Sequence, residues 1–146
     1  MKIRVAWVGK TKEPAIQSLT DEYLQRISRY AEIEGSAVRD EEAILALAQG
    51  ERGKGRQKLI LLDSRGKQFA SEELAAWLGR EQEQALPLLF GIGGSDGFTA
   101  EARRTAVFTL SLGKMTLPHE LARVVLLEQI YRAFTILKNH PYHLGH

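Results

Sequence analysis

Three stretches of this sequence gather residue types that can hold a ligand through the backbone: Leu62-Asp63-Ser64-Arg65-Gly66, Gly91-Ile92-Gly93-Gly94-Ser95-Asp96-Gly97 and Ser111-Leu112-Gly113-Lys114-Met115-Thr116-Leu117-Pro118. The second places four glycines in seven residues, and glycine lets a main chain come close to a ligand and take positive φ. It is not a dinucleotide fingerprint, because Asp96 stands where the third glycine of G-x-G-x-x-G belongs, and no G-x-x-x-x-G-K-[ST] occurs. The third stretch runs into Pro118 at the start of a helix, where unpaired N–H groups suit a carboxylate or a ring nitrogen. Read alone, that stretch is equally a tight turn capping a helix. Neither H-E-x-x-H nor a paired-glutamate constellation is present. Backbone loops without an evident nucleophile point to group transfer from a cofactor that carries its own reactivity. A ligand with an adenine, a ribose and an amino-acid carboxylate could use all three loops.

Two further clusters could bear on chemistry. His140, His143 and His146 lie three apart in the tail, but no cysteine or carboxylate completes a ligand shell, so no metal is expected. A frayed terminus explains them as well. Arg52, Lys54, Arg56 and Lys58 surround Gly53 and Gly55, and Arg65 and Lys67 follow. They form a solvated loop or a contact to phosphates. Twenty Lys and Arg against 18 Asp and Glu leave a net charge of +2, which permits nucleic-acid binding without requiring it.

The elements that must position these residues follow from periodicity. Lys2–Gly9 reads as a first strand, and Pro14 opens a helix with Ile16, Leu19, Tyr23, Ile27 and Tyr30 at helical spacing. A short strand over Ile33–Val38 and an Asp40-capped helix Glu41–Gln49, ended by Gly50, come next. Leu59–Asp63 and Pro87–Ile92 are continuous apolar runs, as in strands buried on both faces. Between them Ser71 is expected to cap a helix reaching about Glu83. A short helix around Thr99–Thr105 and a strand Val107–Leu112 precede the longest helix, from Pro118 to about Lys138. That helix is apolar nearly all round, so either the core or another subunit must cover it; against a subunit, Glu128 and Arg123 or Arg132 would need partners across the contact. Strands alternating with helices give one α/β domain with a mostly parallel sheet. The 146 residues can bury a sizeable core. The hydrophobic fraction of 44% contains no run long enough to span a membrane. The N-terminus lacks the layout of a signal peptide. With no cysteine there is no disulfide framework, and a reducing cytoplasm is the expected setting.

Across these same residues the sequence closely resembles the ribosomal RNA large-subunit methyltransferase H family, of the SPOUT class. The matching pieces are Leu62-Asp63 with Gly66-Lys67, Ile92 through Gly97, and Leu110 through His119. Arg123-Val124, Glu128 through Ala133, the ending Asn139-His140-Pro141-Tyr142-His143 and Val8-Gly9-Lys10 complete them. The resemblance implies a parallel-sheet α/β knot whose C-terminal part threads a deep trefoil, against the general scarcity of knots. It implies a homodimer, and S-adenosylmethionine held by Leu62, Gly94, Gly113, Lys114, Met115, Thr116, Leu117 and Pro118 beside the partner's tail. The implied reaction is methylation at N3 of a pseudouridine in the helix 69 loop of 23S rRNA in the assembled ribosome. Arg132, Tyr142 and His143 are then expected at the RNA side: Tyr142 stacking on the base, and His143 as base or hydrogen-bond partner. The basic stretch Arg52–Lys58 is expected to reach ribosomal phosphates. Three departures stand out: Gly113 where serine is usual, the ending Leu144-Gly145-His146, and a short middle region around Gly50–Lys58. A transfer-RNA methyltransferase of the same fold and a non-catalytic ribosome-binding module are the alternatives.

Overall fold

The structure, a computed structural model, describes residues 1–144. Its elements run β1 (Lys2–Val8), α1 (Pro14–Ile27), β2 (Glu32–Val38), α2 (Glu41–Gln49), β3 (Lys58–Gln68) and α3 (Ser71–Glu81). Then come β4 (Leu88–Ile92), α4 (Ala100–Thr105), β5 (Phe108–Ser111), α5 (His119–Leu137) and a single 3₁₀ turn, Pro141–His143. The five strands form one sheet in the order β2-β1-β4-β3-β5, and every pairing is parallel. The parallel α/β architecture expected from the alternation is therefore present.

Helices cover both faces. On one face α1, α3 and α5 bury Ile3, Val5, Ile60, Phe90, Leu126 and Phe134 in the larger core cluster. On the other, α2 and α4 close over Ala6, Leu59, Leu61 and Leu89. Alternate residues of β1 and β3 thus face opposite cores, which is why these strands read as continuous apolar runs. Each fully buried Leu, Ile or Phe contributes about 1.5–3 kcal/mol.

Helix α5 finds its cover chiefly within the chain, between α1 and α3 and over the sheet. The polar residues expected to seek partners across a subunit contact find them internally. Arg132 pairs with Glu128 at 2.7 Å. Arg123, 1% exposed, lies 4.0 Å from the Trp7 ring centroid and donates to Thr11 Oγ1 at 2.8 Å. Leu121 remains 41% exposed.

Three local expectations are corrected. Ser71 is the first residue of α3 and not its cap: Glu73 accepts the Ala70 N–H at 2.7 Å, while the Ser71 hydroxyl donates to Gln129 Oε1 at 2.7 Å. Lys58 does not belong to the exposed basic stretch, because it begins β3 and pairs with Glu81 at 2.8 Å. Strand β3 does not stop at Asp63. Leu62 and Lys67 both face Leu110 of β5, so residues 63–66 form a bulge and the strand resumes to Gln68. Gly66 permits this, since a Cβ there would lie 2.7 Å from the Thr109 carbonyl.

Candidate active site

Beyond the C-terminal ends of β3, β4 and β5 opens a cleft of about 850 Å³, the position where open α/β sheets hold their ligands. Its walls are the β3 bulge (Leu62 to Arg65), the turn after β4 (Ile92 to Phe98) and the segment Leu112–His119 leading into α5. The three stretches singled out in the sequence therefore meet in one site. Leu62, Gly94, Gly113, Met115, Thr116, Leu117 and Pro118 line it, whereas Lys114 is exposed and outside the lining.

A few side chains set the shape of these walls. The Ser111 hydroxyl accepts the Gly113 N–H at 3.1 Å and lies 3.1 Å from the Ser64 carbonyl and 2.9 Å from that of Gly113. Its single hydrogen serves one carbonyl at a time, yet either choice ties the end of β5 into a neighbouring loop. After β4, the Gly97 N–H donates to the Gly94 carbonyl at 3.1 Å and closes a turn. Glu41 then accepts both the N–H and the hydroxyl of Thr99, at 2.8 and 2.6 Å, fixing the start of α4 against α2. Glu120 in the first turn of α5 accepts the Lys12 N–H at 3.1 Å and pins the loop after β1.

Asp63, Arg65, Asp96 and His119 are the ionisable side chains in the lining, which is otherwise backbone, small and apolar. Asp63, its side chain 9% exposed, stands 3.5 Å from Arg65 Nε and 3.8 Å from Arg103 Nη1. Such a site can hold a polar, charge-compensated ligand by main-chain groups. Its own side chains include no nucleophile activated by a neighbouring base.

The tail residues gather elsewhere. Arg132 lies ten residues beyond Ala122, the last α5 residue at the cleft, hence about 15 Å further along the axis. Its guanidinium forks onto Glu128 with Nε and Nη2 at 3.0 and 2.7 Å, and this hydrogen bond holds its pKa up despite burial. The turn Pro141–His143 folds back against α5, with the Tyr142 ring edge-on to Tyr131 at 4.6 Å. The Tyr142 hydroxyl donates to Glu128 Oε2 at 3.1 Å. His143 Nδ1 is 3.0 Å from the His140 carbonyl. A carbonyl can only accept, so Nδ1 carries the hydrogen and Nε2 is the nitrogen that bears the lone pair when the ring is neutral. The structure thus joins Arg132 and Tyr142 through Glu128, leaves the His143 ring on the His140 carbonyl, and does not bring the three to the cleft of their own chain.

A family model described as "Predicted SPOUT methyltransferase" matches residues 1–143. The ribosomal RNA large subunit methyltransferase H of Koribacter versatilis (strain Ellin345) is 57% identical over 147 residues, covering 100% of both chains. The chain belongs to the ribosomal RNA large subunit methyltransferase H family. The member from Geobacter sulfurreducens is 48% identical, over 98% of this chain and 99% of its own. Solved structures agree on the fold. A probable methylase family protein from Haemophilus influenzae Rd KW20 superposes with a TM-score of 0.59 at 12% identity, over 98% of this chain and 70% of its own. The SpoU methyltransferase AviRb from Streptomyces viridochromogenes, solved in complex with AdoMet, gives 0.55 at 14% identity over 88% of this chain; the match spans 56% of AviRb.

Family membership gives the Gly113 departure a physical setting. Its φ is +143°, a backbone state that side chains rarely adopt, so a serine placed here would be strained on this main chain. Sequence reasoning passed over Ser111 and Glu128 as organisers. Ser111 lay inside a stretch already singled out, and Glu128 was noted as the start of a matching motif and as a polar residue in need of a partner, without a role in fixing Arg132 and Tyr142. Among the described residues no group of three or more His, Asp or Glu gathers as a metal shell, and His146 lies outside them.

Proposed function

We propose that the chain is an S-adenosylmethionine-dependent methyltransferase acting on N3 of a pseudouridine in the helix 69 loop of 23S rRNA. It would work in the assembled ribosome, in the cytoplasm, as a homodimer of single domains whose C-terminal parts thread a trefoil knot. What supports this most is the convergence of three motif stretches on one cleft, in a chain matched over its full length by ribosomal RNA large subunit methyltransferases. AviRb, a distant structural relative, is solved with AdoMet.

The residues present fit that cofactor. The cleft is within the size range of small-molecule sites, about 300–1,000 Å³, and it offers main-chain donors at the entry to α5. Beside Gly113 nothing lies within 4 Å of where a Cβ would stand, so ligand atoms can approach the backbone. Leu62, Gly94, Gly113, Met115, Thr116, Leu117 and Pro118 would hold it, with Lys114 beside them on the rim. When bound, the cofactor supplies an electrophilic methyl group on a sulfonium.

The chain's own residues would position the acceptor and manage its proton. A pseudouridine N3 carries a weakly acidic hydrogen that must leave for that nitrogen to be methylated. His143, with its Nδ1 hydrogen committed to the His140 carbonyl, has Nε2 free to take that proton. Arg132 and Tyr142, both set by Glu128, would hold the base and its flanking phosphate. Alignment of this kind supplies up to about 7–11 kcal/mol of a barrier. Within one protomer the tail lies away from the cleft, so the reading requires a two-fold pairing that sets one protomer's tail beside its partner's cleft. Met115, 85% exposed at the cleft, and Leu121, 41% exposed just beyond it, are apolar surface available to such a pairing.

The decisive experiment is tritiated methyl transfer to intact bacterial ribosomes lacking this mark, to free large subunits and to bulk transfer RNA. Incorporation in intact ribosomes alone, mapped to helix 69, is the expected result. Counts only in transfer RNA would overturn the substrate while keeping the chemistry. No incorporation anywhere, with no cofactor binding by calorimetry, would leave a non-catalytic binding module.

A further inference from the structure

A second groove, of about 670 Å³, adjoins the cofactor cleft and shares its Asp63 and Arg65 wall. Four cations line it, Arg65, Lys67, Arg103 and Arg104, against the single carboxylate of Asp63. The fold assembles this charge from separate places. The β3 bulge puts Arg65 at the shared lip, and the strand's resumption puts Lys67 beside β5. The last turn of α4 delivers Arg103 and Arg104. Asp63 partly compensates Arg65 and Arg103, at 3.5 and 3.8 Å. Lys67 and Arg104 form no ion pair among the described residues, and Lys67 Nζ instead lies over the Phe69 and Phe108 rings at 5.4 and 5.9 Å. Val107, 59% exposed, and the half-buried Phe108 supply an apolar floor.

We propose that this groove is a track for the RNA backbone leading to the cofactor cleft, with Lys67 and Arg104 on phosphates and Val107 and Phe108 against sugar or base. The inference rests on the reading of the chain as an RNA methyltransferase. A surplus of three positive charges over an apolar strip matches a strand that alternates phosphate with sugar and base. The groove also opens at the cofactor cleft itself. The exposed Arg52 and Lys54, which the sequence alone would favour for this task, line a different groove together with Lys2 and Pro87. Those two neighbours mark the N-terminal ends of β1 and β4, the opposite end of the sheet from the cleft.

The test compares the full-length wild type with two double variants that lose equal charge, Lys67→Ala/Arg104→Ala and Arg52→Ala/Lys54→Ala. Filter binding to ribosomes lacking the mark gives Kd over a range of salt, independently of turnover. Methyl transfer gives KM, and calorimetry gives the affinity for S-adenosylmethionine. For Lys67→Ala/Arg104→Ala we expect Kd and KM to rise roughly tenfold near physiological salt. The log–log salt slope should shrink by about 1.4, two phosphate contacts at about 0.7 each for single strands. Cofactor affinity should stay at the wild-type value, which also reports an intact fold. Arg52→Ala/Lys54→Ala should change Kd less than about twofold, and Lys67→Arg/Arg104→Lys should keep the slope. An unchanged slope in Lys67→Ala/Arg104→Ala, or equal weakening in both double variants, would overturn the track. A wild type that binds ribosomes but methylates no RNA would instead defeat the function proposed above, with the binding comparison still deciding the groove.

Discussion

Tyr142 donates its hydroxyl to Glu128 Oε2 at 3.1 Å, and the same oxygen receives Arg132 Nη2 at 2.7 Å. One carboxylate of α5 therefore fixes two of the three residues proposed to meet the acceptor. Burial, a hydrogen bond with Tyr23 and the charge of Glu128 together push the Tyr142 phenol far above its ordinary pKa. Tyr142 is accordingly a neutral donor at working pH and not a base, and in the proposed function the proton falls to His143.

The raised phenol pKa has a defined sign. A group whose folded pKa exceeds its unfolded value stabilises the fold below the unfolded value, near 10 for tyrosine, and that contribution is lost as pH rises through the folded value. In an alkaline titration followed by phenolate absorbance, the difference between wild type and Tyr142→Phe should show no ionisation between about pH 9 and about pH 11 while the fold persists. A Tyr142-dependent phenolate signal near pH 10 would refute the buried, carboxylate-facing phenol.

The proposed two-fold pairing, with tail and cleft separate within one chain, predicts complementation. Gly94→Arg should block the cleft, because the space beside Gly94 is open apart from Val8 at 3.7 Å. Tyr142→Ala should release the tail, costing on the order of 10²-fold in kcat/KM through lost alignment. Each homodimer should be nearly inactive. Co-refolded in equal amounts they should recover about a quarter of wild-type turnover, since half the dimers are mixed and each carries one complete site of two. Recovery no greater than the sum of the parents would place the tail and the cleft of a working site in the same chain, or remove the tail from the reaction.

Gly113 carries the clearest backbone constraint at the cleft. At φ +143° a side chain costs on the order of 1–3 kcal/mol, although no atom stands within 4 Å to obstruct a Cβ. Gly113→Ser should therefore lower the unfolding free energy by about 1–3 kcal/mol, and weaken S-adenosylmethionine binding on the order of tenfold in calorimetry as the segment shifts to relieve the strain. Tighter binding would mean that the hydroxyl gains a contact outweighing the strain.

Much of this architecture was legible because a parallel sheet writes itself locally. Apolar runs such as Leu59–Leu62 and Leu88–Ile92 announce strands covered on both faces, and the stretches after them had to lie at the strand ends where ligands bind. Long-range pairing was not legible. That Leu62 and Lys67 share Leu110 depends on a strand more than 40 residues away in sequence, so β3 looked finished at Asp63. The partners of Lys58 and Ser71 likewise sit on α3 and α5. The tail motif could be recognised, but its position against Glu128 rests on a chain reversal around Asn139, where φ is +55°.

Arg123 holds together the loop after β1 and the helix that begins at the cleft. It is 1% exposed, stacks 4.0 Å from the Trp7 ring centroid, and donates through Nη1 to Thr11 and Thr20 at 2.8 and 3.3 Å. Among the described residues no carboxylate makes a salt bridge with it, and burial pushes its pKa down against the pull of Glu120. The stabilising element is thus a flat guanidinium against a flat ring, which an ammonium cannot reproduce. Arg123→Lys should lower the unfolding free energy by about 2–4 kcal/mol in urea titration, nearly as much as Arg123→Met, because methionine loses the stack and the hydrogen bonds, while lysine keeps a donor but loses the planar stack and buries its ammonium without a salt bridge. Cofactor affinity should fall with it, since the loop after β1 is held to α5 by this residue together with Glu120. A lysine variant within about 0.5 kcal/mol of wild type would show that charge, and not the planar stack, secures that end of the cleft.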